Sequence, residues 1–230
     1  MSCLAEFLEA NSGSVGAVYG FYAGLVYGAA LCVLGKGVGE DAPGELLDYL
    51  GRVFRVEEDD RERAVRAAGL VFAELGGVGG EACRERIAGL EERYYGVVRE
   101  ALHRLAVREL SHMRGSRRKS VGDILGVVAE MAENGSAKRL TPRGSIAVGE
   151  EALHKAVYDK LYRGSYGGFA YPVLSPWRRL EVDGMISDSF NAMMAAGVLI
   201  PAKSLGYYLV PAPFLEEGFR EEFGTIWDTY

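Results

Sequence analysis

Between Asn11 and Gly35 the chain runs without a single charged residue: NSGSVGAVYGFYAGLVYGAALCVLG. A helix over this stretch has no polar face to turn to water, so it must be covered on every side by protein or by lipid. Gly16, Gly20, Gly24 and Gly28 fall at every fourth position, a small-residue stripe that lets another helix come close. Residues 14–35 are long enough to span a bilayer. Against a span stand Tyr19, Tyr22 and Tyr27 in mid-segment and Lys36 as the lone basic flank. The amphipathic helices that follow need something to pack around. The expectation is a buried core helix, with a membrane span as the alternative.

Those following helices are legible from their periods. Asp41-Ala-Pro43 opens one, with Leu46, Leu47, Leu50, Val53 and Phe54 on its apolar face. Asp59 and Asp60 begin a second, carrying Ala64, Val65, Ala68, Val71, Phe72 and Leu75 and stopping at Gly76-Gly77. The longest runs from about Glu81 to Met113. Arg114-Gly-Ser-Arg-Arg-Lys119 reads as a linker, after which Ser120 and Asp123 suggest a capping box for a helix ended by Asn134-Gly135.

Residues 1–135 thus read as a helical bundle, and 138–230 as a second module with an acidic C-terminal tail. That module starts with an irregular stretch over 138–148 and a helix over Glu150 to Tyr162. A short helix near Trp177–Val182 precedes another that Asp183 would cap, with Ile186, Phe190 and Met193 inward. Gly197, an apolar strand, a polar turn from Pro201 to Gly206 and Tyr207–Val210 complete it. Helix, strand, turn and returning strand are the layout of a winged helix with a small β-hairpin. The expected fold class is therefore mainly α, a helical bundle followed by a winged-helix-like α+β module. The helix after Asp183 offers only Asn191 to base edges, which suits protein contact better than groove reading.

Charge is distributed unevenly. Residues 1–103 carry 10 basic and 17 acidic side chains, net −7; residues 104–179 carry 14 and 7, net +7; residues 181–230 carry 2 and 8, net −6. The basic belt consists of Arg104, Arg108, Arg114, Arg117, Arg118 and Lys119, then Lys138, Arg139 and Arg143, then Lys155, Lys160, Arg163, Arg178 and Arg179. Aromatics interleave with its later part, among them Tyr166, Phe169 and Tyr171, with Trp177 beyond. Cations that follow phosphates and rings that stack bases are how single strands are held without sequence readout. The belt predicts contact with nucleic acid, single-stranded or RNA-containing rather than duplex DNA. Its competing explanation is neutralisation of the acidic flanks or of an acidic partner subunit.

Chemistry is sparse. Gly35-Lys36-Gly37 lacks the glycine and hydroxyl of a phosphate loop. His103 and His112 lie nine residues apart, on opposite helix faces, and with His154 they predict surface or packing roles and no metal. The acids Glu57 to Asp60 suit a helix N-terminus. No hydrolase, metalloprotease or dinucleotide fingerprint occurs, so neither enzyme activity nor a cofactor is expected. Cys3, Cys32 and Cys83 show no paired spacing and predict buried structural thiols. Gln is absent, Asn occurs three times and Arg outnumbers Lys 20 to 6, a thermophile's bias. The opening residues lack the basic start of a signal peptide, which predicts a cytoplasmic protein.

Together these features predict a non-enzymatic subunit of a nucleoprotein complex, with nucleic acid on the belt and protein partner subunits elsewhere. The alternatives are a membrane-anchored protein and a purely protein-docking subunit. The charge layout would suit a helical accessory subunit of an archaeal defence complex of the CRISPR type, although no motif carries that resemblance.

Overall fold

The computed structural model describes residues 2–34, 44–55, 57–76, 80–113 and 115–221, with the backbone alone over 115–119. Six helices come first: α1 (Cys3–Ala10), α2 (Val15–Val33), α3 (Gly44–Val53), α4 (Glu58–Leu75), α5 (Gly80–Ser111) and α6 (Gly115–Glu133). Then follow β1 (Lys138–Arg139), β2 (Ile146–Gly149), α7 (Glu150–Val157), α8 (Pro176–Ala195), β3 (Ile200–Ala202) and β4 (Tyr207–Val210). The protein is mainly helical, with a small antiparallel sheet near its C-terminal end.

The uncharged segment is α2, and its residues from Gly16 to Leu31 are buried without a break. Ser14 caps it, accepting from the Ala17 amide at 3.1 Å and donating to Asp60 Oδ1 at 2.6 Å. The glycine stripe meets α4. A Cβ on Gly16 would lie 2.2 Å from the Asp60 carbonyl oxygen, and one on Gly20 2.2 Å from that of Ala64. A Cβ on Gly24 would lie 3.0 Å from Ala68 Cα, whereas one on Gly28 would meet the Leu75 side chain, Cδ1 at 2.5 Å. Small residues on both helices, Gly16, Gly20 and Gly24 against Ala64 and Ala68, bring the backbones together within dispersion range. By length and composition α2 could cross a membrane, yet 89% of its most apolar window is buried inside the fold.

Three tyrosines carry polar ends through this apolar helix, and buried hydroxyls need partners. Tyr19 OH pairs with Tyr49 OH at 2.8 Å and donates to the Gly197 carbonyl at 3.2 Å, while Tyr49 OH reaches the Met194 carbonyl at 2.8 Å. Tyr22 OH donates to Glu91 at 2.8 Å and meets Ser145 Oγ at 3.0 Å. Tyr27 OH donates to Glu45 at 3.2 Å, and Glu45 in turn accepts from Lys203 N at 2.8 Å and Ser204 Oγ at 2.9 Å. Glu91, only 1% exposed, is satisfied by Tyr22, by Thr141 Oγ1 at 2.7 Å and by Arg143 N at 3.0 Å. Each hydroxyl joins the N-terminal bundle to residues beyond 138, and a single hydrophobic core runs through both.

Several expectations are corrected. Cys32 and Cys83 are not separate thiols: they form a disulfide between the end of α2 and the start of α5, and Cys3 is free and exposed. Residues 115–119 are not a linker, since α6 already begins at Gly115 and Ser120 lies inside it. The stretch over 138–148 is a hairpin, β1 pairing with β2 as Lys138 opposite Ala147, turned through Gly144 at φ +102°. The two short helices around Asp183 are one. α8 starts at Pro176, with Ser175 accepting from the Arg178 amide, so Asp183 sits mid-helix and caps nothing. The helix over Glu150–Tyr162 does occur, as α7 continued by a π turn over Tyr158–Tyr162.

The four strands lie in the order β1-β2-β4-β3, all antiparallel. Val148 opposite Tyr208 and Ile200 opposite Leu209 are buried pairs that hold its register.

Candidate functional site

A groove of about 990 Å³ is lined by residues of α7 and α8, of the loop between them and of β4. Its floor is Ile186, Phe190 and Met194 of α8 with Tyr208 of β4. Across it runs a polar brace. His154 of α7 stands 3.0 Å from Asp183 of α8, and Tyr171 OH donates to both carboxylate oxygens of Asp183 at 2.7 and 2.8 Å. The His154 and Tyr171 rings meet edge-on at 5.4 Å. Burial first, then the Asp183 carboxylate, pushes the Tyr171 hydroxyl above its usual pKa, so it stays a donor.

The loop from Arg163 to Ser175 lies beside this groove and is pinned from within. Tyr158, fully buried, donates to the Phe169 carbonyl at 2.8 Å and packs its ring 5.4 Å from that of Tyr171. Arg163 Nε binds the Gly168 carbonyl at 2.9 Å, and Gly167 and Gly168 supply two consecutive positive φ angles. With its inner side anchored, the loop turns Phe169 and Val173 outward, 56% and 68% exposed. The first turns of α8 continue the patch with Trp177 at 80% and Leu180 at 64%. Four large apolar side chains, Phe169, Val173, Trp177 and Leu180, are thus exposed along one loop and helix start.

The predicted basic residues divide by element. Arg108 of α5 pairs with Glu57 and, at 2.9 Å, with Glu109, and covers the Phe54 ring. Arg104 lies 3.9 Å from Glu100. Arg143 forks onto Glu92 at 2.8 Å and stacks on Tyr95. Arg139 binds the carbonyls of Thr141 and Pro142, and Lys138 covers Tyr207. Lys160 reaches Glu130 at 2.6 Å. Those cations are engaged with groups of the same chain. Arg163 also pairs with Asp159, at 3.8 Å. Arg178 is exposed on the first turn of α8, and Arg179 beside it keeps a buried Nε without an acceptor. Tyr166 sits close enough to Glu181 and Arg178 for both to act on its hydroxyl, which burial chiefly raises. Arg114 and the side chains of Arg117, Arg118 and Lys119 lie outside the described residues.

The structure therefore brings together Arg163, Tyr166, Phe169, Tyr171, Arg178 and Arg179 around α8. Sequence reasoning missed the brace, because His154 and Asp183 are 29 positions apart and no motif links them. It also set Trp177 in a short helix of its own. Ser175-Pro176, a capping hydroxyl before a first-turn proline, is the signal that places Trp177 at a helix start. Comparison with protein-family models, with curated proteins and with solved structures found no match to this chain.

Proposed function

We infer that residues 115–210 form a winged-helix module serving a nucleoprotein assembly as a non-enzymatic subunit. The order of elements supports this reading: helix α6, the β1–β2 hairpin, helices α7 and α8, then strands β3 and β4, with β4 lying between β2 and β3 and β1 added at the outer edge of β2. In such a module α8 takes the place of the recognition helix and the β3–β4 turn that of the wing.

The observation that carries the function is the pairing of exposed rings with cations at the start of α8. Trp177 and Phe169 are largely exposed; Arg178 follows Trp177 in the chain, and Arg163 binds the Gly168 carbonyl next to Phe169. Stacking a base on such a ring is worth about 1–3 kcal/mol, and it needs no sequence readout. Beyond its first turns α8 carries Asp183 and Asp188 and no Lys or Arg, which disfavours entry into a duplex groove. Single-stranded nucleic acid is the substrate this arrangement suits. Burial of α2 on every side supports its place in the core rather than in a bilayer.

A second reading rests on Val173 and Leu180. Aliphatic side chains this exposed serve a protein surface better than a strand of bases. Titrating labelled single-stranded RNA, single-stranded DNA and duplex DNA at two salt concentrations decides between them. The nucleic-acid reading expects salt-sensitive binding that Trp177→Ala and Arg178→Ala each weaken by ten-fold or more at unchanged Tm. Failure to bind all three overturns it in favour of a protein partner on the same patch.

A further inference from the structure

Past β4 the chain leaves the sheet and crosses the middle of α5. Tyr95, Arg99 and His103 stand four residues apart there and share one face of that helix. Glu216 settles on the first two: Tyr95 OH donates to its Oε1 at 2.5 Å, and Arg99 Nε donates to its Oε2 at 3.3 Å. Phe219 follows three positions later, in a single helical turn over 217–221, and is buried. The Arg99 guanidinium covers its ring at 5.4 Å, and the rings of His103 and Phe214 meet it edge-on at 5.9 and 5.4 Å. One carboxylate and one ring thus fill a polar notch and an aromatic pocket side by side.

The sheet is complete without this strap, residues 216–221: β4 already pairs with β2 on one side and β3 on the other. The strap's ion pair joins two partly exposed side chains, so water screens it. Its Arg220 keeps a buried Nε with no acceptor, a donor that has lost water and gained no partner. A segment offering the same carboxylate and ring, with a small side chain where Arg220 stands, would meet this surface without that penalty.

We propose that this face of α5 is a docking surface for a peptide segment of a partner protein, a glutamate followed three positions later by phenylalanine, which displaces the strap. The strap is the resident occupant: it shows the chemistry the surface accepts and covers it until the partner's segment competes. Tyr95, Arg99 and His103 lie outside the patch at the start of α8, so the proposal stands apart from the nucleic-acid reading, and its test contains no nucleic acid.

The probe is a synthetic peptide of residues 216–221 carrying Arg220→Ala. The full chain with Phe219→Ala, whose ring pocket is emptied, is expected to bind it at least ten-fold more tightly than the unaltered protein does. Glu216→Gln loosens the strap but leaves its aromatic packing in place, so it should raise affinity in the same direction even if Phe219→Ala does not fold. Adding Arg99→Ala to either variant should abolish the gain, and a control peptide with Phe219→Ala should not bind. The imidazole resonances of His103 should shift with the peptide, while those of His154, on another surface, stay in place. The proposal falls if neither strap variant binds more tightly than the unaltered protein, if the control peptide binds as well, or if His103 is unmoved on binding.

Discussion

Gly20 of α2 and Ala64 of α4 are in backbone contact: a methyl group on Gly20 would sit 2.2 Å from the Ala64 carbonyl oxygen and 2.5 Å from its Cα. Neither atom belongs to a side chain that can swing away. Gly20→Ala must therefore push two helices apart along their whole shared face, and it is expected to cost about 3 kcal/mol or more. Gly69→Ala is the counterpart, on an exposed turn of α4 with nothing within 4 Å of the added methyl. It should stabilise the protein by about 0.5–1 kcal/mol. Urea denaturation of the two variants reads both effects, and a tolerated Gly20→Ala would show that α2 and α4 do not meet through the stripe.

The disulfide gives a second expectation. Cys32 and Cys83 are separated by 51 positions, and closing a loop of that length removes chain entropy worth about 4 kcal/mol from the unfolded state. Reduction, or Cys83→Ser, should lower Tm by several degrees. Cys3→Ser should leave it unchanged, because that thiol is exposed and unpaired. A Tm indifferent to reductant would mean that the bridge does not form in solution.

Alkaline pH tests the buried tyrosines. Burial pushes the hydroxyls of Tyr19, Tyr22 and Tyr49 well above their usual value of 10.0. In the unfolded chain they lose protons near pH ~10, whereas the folded protein keeps them. Their contribution is thus fully present below that pH and drains away as pH climbs toward the folded values. Each of the three adds a slope of about 1.4 kcal/mol per pH unit in that window. Denaturation midpoints should fall steeply between about pH 10 and about pH 11, and Tyr49→Phe should flatten the fall. Tyrosinate absorbance should show these phenols ionising only as the protein unfolds.

Much of the helical architecture is written in the sequence as local pattern. The glycine stripe announces a close approach, although nothing in it names α4 as the partner. Tyr19, Tyr22 and Tyr27 are legible as unsuited to a bilayer centre, but their hydrogen-bond partners at Gly197, Ser145 and Ser204 come from the tertiary fold alone. Where local cues compete, the wrong one can be chosen. Arg114 to Lys119 has the composition of a loop, yet Gly115 already begins α6. Asp183 has a capping side chain, yet its carboxylate is spent on His154 and Tyr171. Cys32 and Cys83 carry no spacing rule at all, because a bridge over 51 positions is a property of packing.

The hydroxyl of Tyr19 also sets a schedule. Its acceptor, the Gly197 carbonyl, lies 178 residues further along the chain. At a synthesis rate of about 5–20 residues per second, Tyr19 is made roughly nine to thirty-six seconds before that acceptor. For that interval the Tyr19 hydroxyl lacks this acceptor, and a helix with the length and apolarity of a membrane segment is covered only by the elements already made. α3 and α4, translated soon after α2, are the first following elements able to cover it, α3 through the Tyr19–Tyr49 hydroxyl pair and α4 along the glycine stripe.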